Sequence, residues 1–413
     1  MANELALKSF RLKNFKAIRD SGVVKFTPLT VLIGDNGSGK SSFVEGLQTF
    51  QRIVLDGLDD TMNLWRGYEN IRHGAAPQST ANRADTRVHQ EGVIEFSLSH
   101  RVPIENETKD SQSHSNVLKV ACAPDGDEIF IMEERWNVSG QKYMARDSEG
   151  YLYDSNGERL GGGITFPIAL PFEFEAEALQ PGKSLISSSR ATPYIVFSLA
   201  SWQFVTLNAW TMGEPQPIQR TGGMIHLRSD GSNIAEYLSG IREHDEDAFE
   251  GILETLQYVL PYMKDLKPEL TDVLGRQSHL EMSEADFKVK GWLLSTGTLR
   301  ILALLALFRH PEPPPVIVIE EIENGLDPRT IHLIVEELRN LVESGRSQVI
   351  VTTHSPYLLD LLPLWSIVLV ERSEDKGPVF SRPDDNPALE KWAEKFGPGK
   401  LYTMQGLSLG EGG

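Results

Sequence analysis

The hydrophobic pattern changes period several times along the chain, and those changes outline its elements. Residues 29–33 form an apolar run of the kind a strand buried on both faces shows. Directly after a polar, glycine-rich stretch, Phe43, Val44, Leu47, Phe50 and Val54 recur at helical spacing and predict a helix over 42–54. Residues 5–33 as a whole read as two or three strands. Strand-like runs follow at 92–98, 117–121 and 128–136, the last two linked by a turn at 124–127. Residues 105–116 are polar and read as a mobile loop, and Asn156-Gly157 marks a tight turn. A β-rich layer ending near the glycines at 161–163 is therefore expected. Helical stripes return over 232–260, strands over 278–282 and 286–290, and an all-round apolar helix over 298–309. After the prolines of 311–315 come a buried strand at 316–319, a helix opened by Asp327 and Pro328, and a strand at 348–352. No internal repeat and no extended heptad run is present.

The glycine-rich stretch between the first strand and helix carries the chemistry. Gly34-Asp35-Asn36-Gly37-Ser38-Gly39-Lys40-Ser41 has every fixed position of a phosphate-binding loop, in the strand–loop–helix setting such a loop needs. Its glycines let successive N–H groups converge on phosphate oxygens, and the helix N-terminus adds partial positive charge. Gly34, Asn36, Gly37, Gly39, Lys40, Ser41 and Ser42 are the candidate contacts to a nucleoside triphosphate. Lys40 is placed for the β and γ phosphates, and the Ser41 hydroxyl for Mg²⁺.

Three further features change meaning beside that loop. Glu320 and Glu321 end the apolar strand at 316–319; alone they would be two solvated acids at a strand end. Next to a phosphate loop, Glu320 becomes a candidate Mg²⁺ ligand through water and Glu321 a candidate base for the attacking water. His354 follows the strand at 348–352, one β-α-β unit later, where it is positioned to meet a γ-phosphate. Ser295 and Gly297 stand at the start of the apolar helix, a pattern that alone would be an ordinary N-cap.

Composition narrows the classes. A hydrophobic content of 40% and a charged content of 24% describe a globular chain, and a formal net charge of −18 argues against a broadly basic nucleic-acid surface. The cluster Lys8, Arg11, Lys13, Lys16 and Arg19 is read as an exposed strand edge with solvated charges. One cysteine, Cys122, excludes an internal disulfide and fits a reducing cytoplasm. No secretion signal is recognisable, and the stretch 299–308 is too short to span a bilayer and contains Arg300, so no membrane insertion is expected.

Taken in order, the phosphate loop, Leu294-Ser295-Thr296-Gly297-Thr298, Ile319-Glu320-Glu321-Ile322-Glu323-Asn324-Gly325-Leu326-Asp327-Pro328 and Thr352-Thr353-His354-Ser355-Pro356 resemble the ABC-type ATPases. The closer resemblance is to the RecF/SMC/OLD-like branch and its stand-alone bacterial AAA-type ATPases. The opening Phe10-Arg11-Leu12-Lys13-Asn14-Phe15 is similar to that branch's first strand, and Arg228-Ser229-Asp230-Gly231-Ser232-Asn233 looks like a feature of its stand-alone members. The resemblance covers both ends of the chain well and the middle weakly.

It implies an α/β fold: a P-loop ATPase head with a mixed β and helical insertion, divided as 1–100, 101–290 and 291–413. It implies ATP and Mg²⁺ as cofactors, Glu321 and His354 as catalytic residues, and Ser41 and Glu320 at the metal. Ser295 and Gly297 would cap ATP held by a second protomer, and residues 324–327, ending in Asp327, would cross the dimer interface. Glu320 stands where many relatives have aspartate, and Thr296 and Thr298 replace the second glycine and the glutamine of the transporter signature. Gln48 and Gln51 are poor candidates for the glutamine-containing loop.

Several readings compete. Lys40 and Ser295 lie 255 residues apart, too far for an ABC transporter subunit, and the missing heptads exclude a long-armed chromosome ATPase. A stand-alone ATPase acting as a homodimer or higher oligomer remains, with a separate effector protein, a nuclease among the candidates, and nucleic acid as a further candidate partner. Family company puts such proteins in bacterial antiviral defence or DNA repair. The rival is an OLD-like DNA nuclease. Residues 367–371 resemble the opening strand of its Toprim domain, but only 42 residues follow Glu371 and they lack an Asp-x-Asp strand end.

Overall fold

The structure, a computed structural model, describes residues 6–74, 92–103, 111–123, 128–159, 180, 182–188, 193–218, 225–271 and 276–407. The expected turn at 124–127 and the glycines at 161–163 lie outside the described residues. The chain divides into two compact units, the first made of 1–27, 34–202 and 368–381, the second of 28–33, 203–367 and 382–413.

The first unit is built on an antiparallel sheet. Its order runs Ile18–Asp20, Leu7–Phe15, Ile94–Pro103, Ser111–Cys122, Ile129–Val138, Gln141–Arg146, Leu152–Tyr153, with Val24–Lys25 also pairing with Leu7–Phe15. Phe10 and Leu12 alternate with Arg11 and Lys13, the period of two expected of a strand with one buried face. The helix Lys40–Leu55 lies against that face. Phe10 meets Phe43 edge-on at 5.5 Å, and Gly46 admits the Leu12 side chain into space that a Cβ would fill.

The structure departs from expectation at three points. Residues 111–116 belong to a strand rather than a loop. In that part of the strand the buried positions, His114 and Asn116, are themselves polar, which hid the alternation. The strand Leu7–Phe15 is also interior to its sheet rather than an edge, and its cations are paired. Arg11 bridges Asp20 at 2.6 Å, Lys13 bridges Glu95 at 3.1 Å, and Lys16 bridges Glu45 at 2.7 Å while sitting 3.9 Å over the Trp65 ring. Counting Leu29–Ile33, four strands rather than two or three precede the phosphate loop.

The second unit contains a parallel layer, Gln203–Val205, Val316–Ile319, Gln348–Thr353 and Leu29–Ile33, in that spatial order. Its register pairs Ile317 with Val349, Ile319 with Val351, and Thr353 with Ile33. The last three strands are buried throughout, which explains their largely apolar sequences, interrupted only by Thr30, Gln348, Thr352 and Thr353. Helices Thr296–Phe308 and Pro328–Glu343 belong to the same unit, as do Ile234–His244 and Glu246–Val259. A smaller antiparallel sheet centres on Gln277–Glu284, flanked by Met263–Thr271, Gln216–Pro217 and Phe287–Lys290. Among the described residues no helix is long and apolar enough to cross a membrane.

Candidate functional site

In the first unit, the loop at 34–39 opens the Lys40–Leu55 helix, and its backbone explains its glycines. Gly37 has φ +76° and Gly39 φ +113°, conformations that L side chains rarely adopt. A Cβ on Gly39 would sit 2.6 Å from Pro378, and one on Gly34 would run into the Val370 carbonyl. The hairpin Ile367–Ser373/Gly377–Ser381 thus backs the loop, and Arg372 donates to the Gly37 carbonyl at 3.2 Å. Lys40 is buried, and its ammonium donates to the Gly34 carbonyl at 2.7 Å and the Asp35 carbonyl at 3.0 Å. Ser41 and Asn36 are exposed and Ser42 half-buried. Gly39, as N-cap, has no side chain to compete for the first-turn N–H groups. Fixed cation, convergent backbone and uncapped helix start fit a polyphosphate.

In the second unit, the carboxyl ends of the parallel strands gather the other candidates. Glu320 follows Ile319, its N–H donating to the Val205 carbonyl at 2.9 Å, and its carboxylate accepts from the Thr206 hydroxyl at 3.3 Å. Glu321 is exposed and left-handed, φ +49°. A non-glycine residue there costs about 1–2 kcal/mol and persists only where its surroundings hold it. Its N–H donates to the Thr352 hydroxyl at 2.9 Å, and its carbonyl accepts from Arg300 at 2.9 Å. The backbone is therefore clamped by two side chains, while among the described residues the carboxylate accepts only a long bond from the Asn324 amide, at 3.4 Å.

His354 leaves the adjacent strand, and its N–H donates to Glu323 at 2.6 Å. Glu323 ties the acidic turn to the histidine's strand, a role that the sequence did not reveal. Ser295 is the N-cap of Thr296–Phe308 and accepts from the Thr298 N–H at 3.0 Å. Gly297 has a packing reason as well as its expected binding role, since a Cβ there would lie 2.8 Å from the Gly325 carbonyl. Asp327 caps Pro328–Glu343, accepting from the N–H groups of Arg329 and Thr330. The Thr330 hydroxyl, at 2.5 Å, is the main reason its carboxyl is held below the usual range. Gln51 donates to the carbonyls of Leu199 and Trp202 inside the first unit, which gives it a structural role.

The motif at 228–233 is a rigid turn: Gly231 has φ +74°, Asp230 accepts from the Ser232 N–H, and Asn233 bonds to the backbones of Arg228 and His226. It in turn holds the segment after Gln203–Val205, because Thr206 and Asn208 donate to the Ser229 and Asp230 carbonyls. Through Thr206 this turn adjoins the Glu320 carboxylate.

Comparison with known proteins bears on the fold and the class of protein. A model described as "AAA ATPase domain" matches residues 6–97, and one described as "AAA domain, putative AbiEii toxin, Type IV TA system" matches 168–360. The chain is 21% identical over 410 residues to an OLD nuclease of Thermus scotoductus, covering 94% of this chain and 67% of that protein. The Smc head domain derived from Pyrococcus furiosus, solved with an extended coiled coil and bound to the C-terminal domain of ScpA, is 13% identical. It superposes with a TM-score of 0.50, over 94% of this chain and 99% of that one. That likeness shows the fold, an α/β P-loop ATPase head. Together with the two domain models and the nuclease relative, it supports an ATPase of the ABC/RecF/SMC-like kind.

Proposed function

We propose that the chain binds and hydrolyses ATP with Mg²⁺ and works as an ATP-dependent dimer. One observation carries the reading. In the parallel layer, Leu29–Ile33 is separated from Val316–Ile319 by the single strand Gln348–Thr353, and Ile319 lies level with Val351 and Val31, two residues before the level at which Thr353 and Ile33 pair. Strand spacing puts the outer two about 10 Å apart across the carboxyl edge of the layer. The peptide bond from Ile33 to Gly34 attaches the phosphate loop to that edge, and Glu320, Glu321 and His354 leave it too. That span suits a γ-phosphate with its metal and attacking water.

Bound Mg²⁺ would supply charge neutralisation for the phosphates, with the Ser41 hydroxyl and the Glu320 carboxylate as its protein-side holders. Lys40 binds and orients the β and γ phosphates. Glu321 accepts the proton of the attacking water, and His354 donates a hydrogen bond to a γ-phosphate oxygen. Ser295 and Gly297 cap ATP bound by the second protomer, and the turn ending at Asp327 lies along the dimer contact. Division of the chain into 1–100, 101–290 and 291–413 accompanies this reading as head, insertion and head. A separate effector protein, in antiviral defence or DNA repair in the cytoplasm, completes it, with the chain as sensor or scaffold.

The name of the Thermus relative makes a nuclease the second reading. Against it, the strand bearing Glu371 folds straight back as a hairpin with Gly377–Ser381, and Asp384 and Asp385 fall in a short 3₁₀ turn rather than at a strand end. Two-metal phosphodiester chemistry needs acids converging from more than one element.

Lys40→Ala should lose ATP binding while keeping its fold. Glu321→Gln should bind ATP, stall hydrolysis and accumulate an ATP-bound dimer by light scattering, and Ser295→Arg should block that dimer. Wild-type nucleotide affinity in folded Lys40→Ala would overturn the assignment of the loop; wild-type turnover in Glu321→Gln would overturn its role as base.

A further inference from the structure

Arg300 is out of keeping with its helix. From Leu299 to Phe308 the helix Thr296–Phe308 is otherwise apolar and buried, and Arg300 itself is only 5% exposed. Burying a guanidinium without partners is expensive, so what it touches identifies what it is for. Its hydrogen bonds go to backbone carbonyls rather than to a carboxylate. One terminal nitrogen donates to the Leu207 carbonyl at 2.7 Å and the other to the Glu321 carbonyl at 2.9 Å. The fork thus spans two backbone segments, the one following Gln203–Val205 and the acidic turn. The same helix touches that turn again one turn earlier, where Gly297 packs on the Gly325 carbonyl.

We propose that Arg300 is a positioning residue that locks the left-handed Glu321 peptide to the signature helix, so that the helix and the catalytic carboxylate move as one piece. The inference rests on the ATPase reading above and adds a coupling to it. In that reading Ser295 and Gly297 sense ATP bound by the partner protomer, whereas Glu321 acts on ATP bound by its own chain. Arg300 therefore joins the sensing end of one site to the hydrolytic end of the other. Thr352 holds the same residue by its N–H rather than its carbonyl, through the parallel layer and not through the signature helix. The two residues separate the tasks: both hold Glu321, and only Arg300 links it to the signature.

Lysine at 300 keeps the charge and the aliphatic stem but lacks the planar fork needed to reach both carbonyls. Steady-state ATP hydrolysis is measured for the wild type, Arg300→Lys and Thr352→Val, each verified as folded by circular dichroism. A misplaced base costs about tenfold to a hundredfold in turnover. Both variants should lose kcat on that scale, with KM for ATP within about twofold of wild type. The Hill coefficient for ATP should fall towards one in Arg300→Lys and stay at the wild-type value in Thr352→Val. Arg300→Met, which keeps only the stem, should match or exceed the loss in Arg300→Lys. Wild-type kcat in Arg300→Lys, an unchanged Hill coefficient there, or a wild-type Hill coefficient of one overturns the proposal. A wild type without ATPase activity, or Glu321→Gln at full turnover, instead overturns the ATPase reading and the coupling with it.

Discussion

Lowering the pH from 7 to 5 should destabilise the antiparallel sheet of the first unit through two histidines. His100 on Ile94–Pro103 and His114 on Ser111–Cys122 are direct cross-strand partners, with ring centroids 5.7 Å apart. They are 1% and 7% exposed. The His114 ring stacks on Trp136 and accepts from its indole N–H at 3.1 Å, while among the described residues neither ring nitrogen of His100 has a hydrogen-bond partner. Burial pushes His100 down to about 3, with His114 adding to the effect, and burial pushes His114 down to about 4. The unfolded chain takes up these protons near the ordinary value of 6.5, and the native sheet refuses them. Stability is therefore fully present above pH 6.5 and declines as the pH falls, by about 1.4 kcal/mol per unit for each ring. Between pH 7 and 5 the pair should lose about 4 kcal/mol, a large share of a typical folding free energy of about 5–15 kcal/mol. Hydrogen exchange of amides in the two strands, corrected for intrinsic rates, reads this sheet without requiring the whole chain to unfold in one step. His100→Leu should halve the loss. It should also be at least as stable as wild type at pH 7, because the two unpartnered ring nitrogens are gone. An unchanged sheet at pH 5, or an undiminished loss in His100→Leu, would refute the reasoning.

Gly297→Ala should destabilise by about 1–3 kcal/mol, because both sides of the clash with the Gly325 carbonyl are backbone; thermal melting checks this, and an unchanged midpoint would remove the packing role. The purified chain should cleave neither DNA nor RNA with Mg²⁺ or Mn²⁺, with or without ATP. Cleavage that Glu371→Ala abolishes would put the nuclease reading in place of the ATPase-with-effector one.

Local rules made much of the site legible. Asp327 before Pro328 was readable as a cap because capping uses the residue's own side chain and its neighbours' N–H groups, and both are consecutive in sequence. Ser295 was readable for the same reason. The parallel strands were readable because burial on both faces leaves mostly apolar positions, as in Val316–Ile319 and 349–351. Where burial is polar the pattern failed. Ser111–Cys122 puts Asn116 inside, where its amide donates to the buried Glu134 at 3.1 Å, so an inward position looked like solvent. Met263–Thr271 was missed because Lys267, Pro268 and Glu269 interrupt it. That strand lies at the margin of its small sheet, where a proline need not break a ladder.

The ties that hold the acidic turn were illegible for a more basic reason. Arg300 was visible as a charge in an apolar helix, but its partners are the carbonyls of Leu207 and Glu321. A backbone carbonyl carries no residue identity, so no spacing or composition could point to either. The left-handed backbone of Glu321 is hidden likewise, since nothing in its side chain favours φ +49°. What holds it comes from elsewhere in the chain: Thr352 through a side-chain oxygen, Arg300 through its fork, and Glu323 by fastening the turn to the His354 strand. The residue types suited to the chemistry are therefore written in the sequence, whereas the strain that aims one of them is distributed over residues recognisable only by what they touch. A substitution at Thr352 or Arg300 would leave every nucleotide-binding motif intact and still disarm the site.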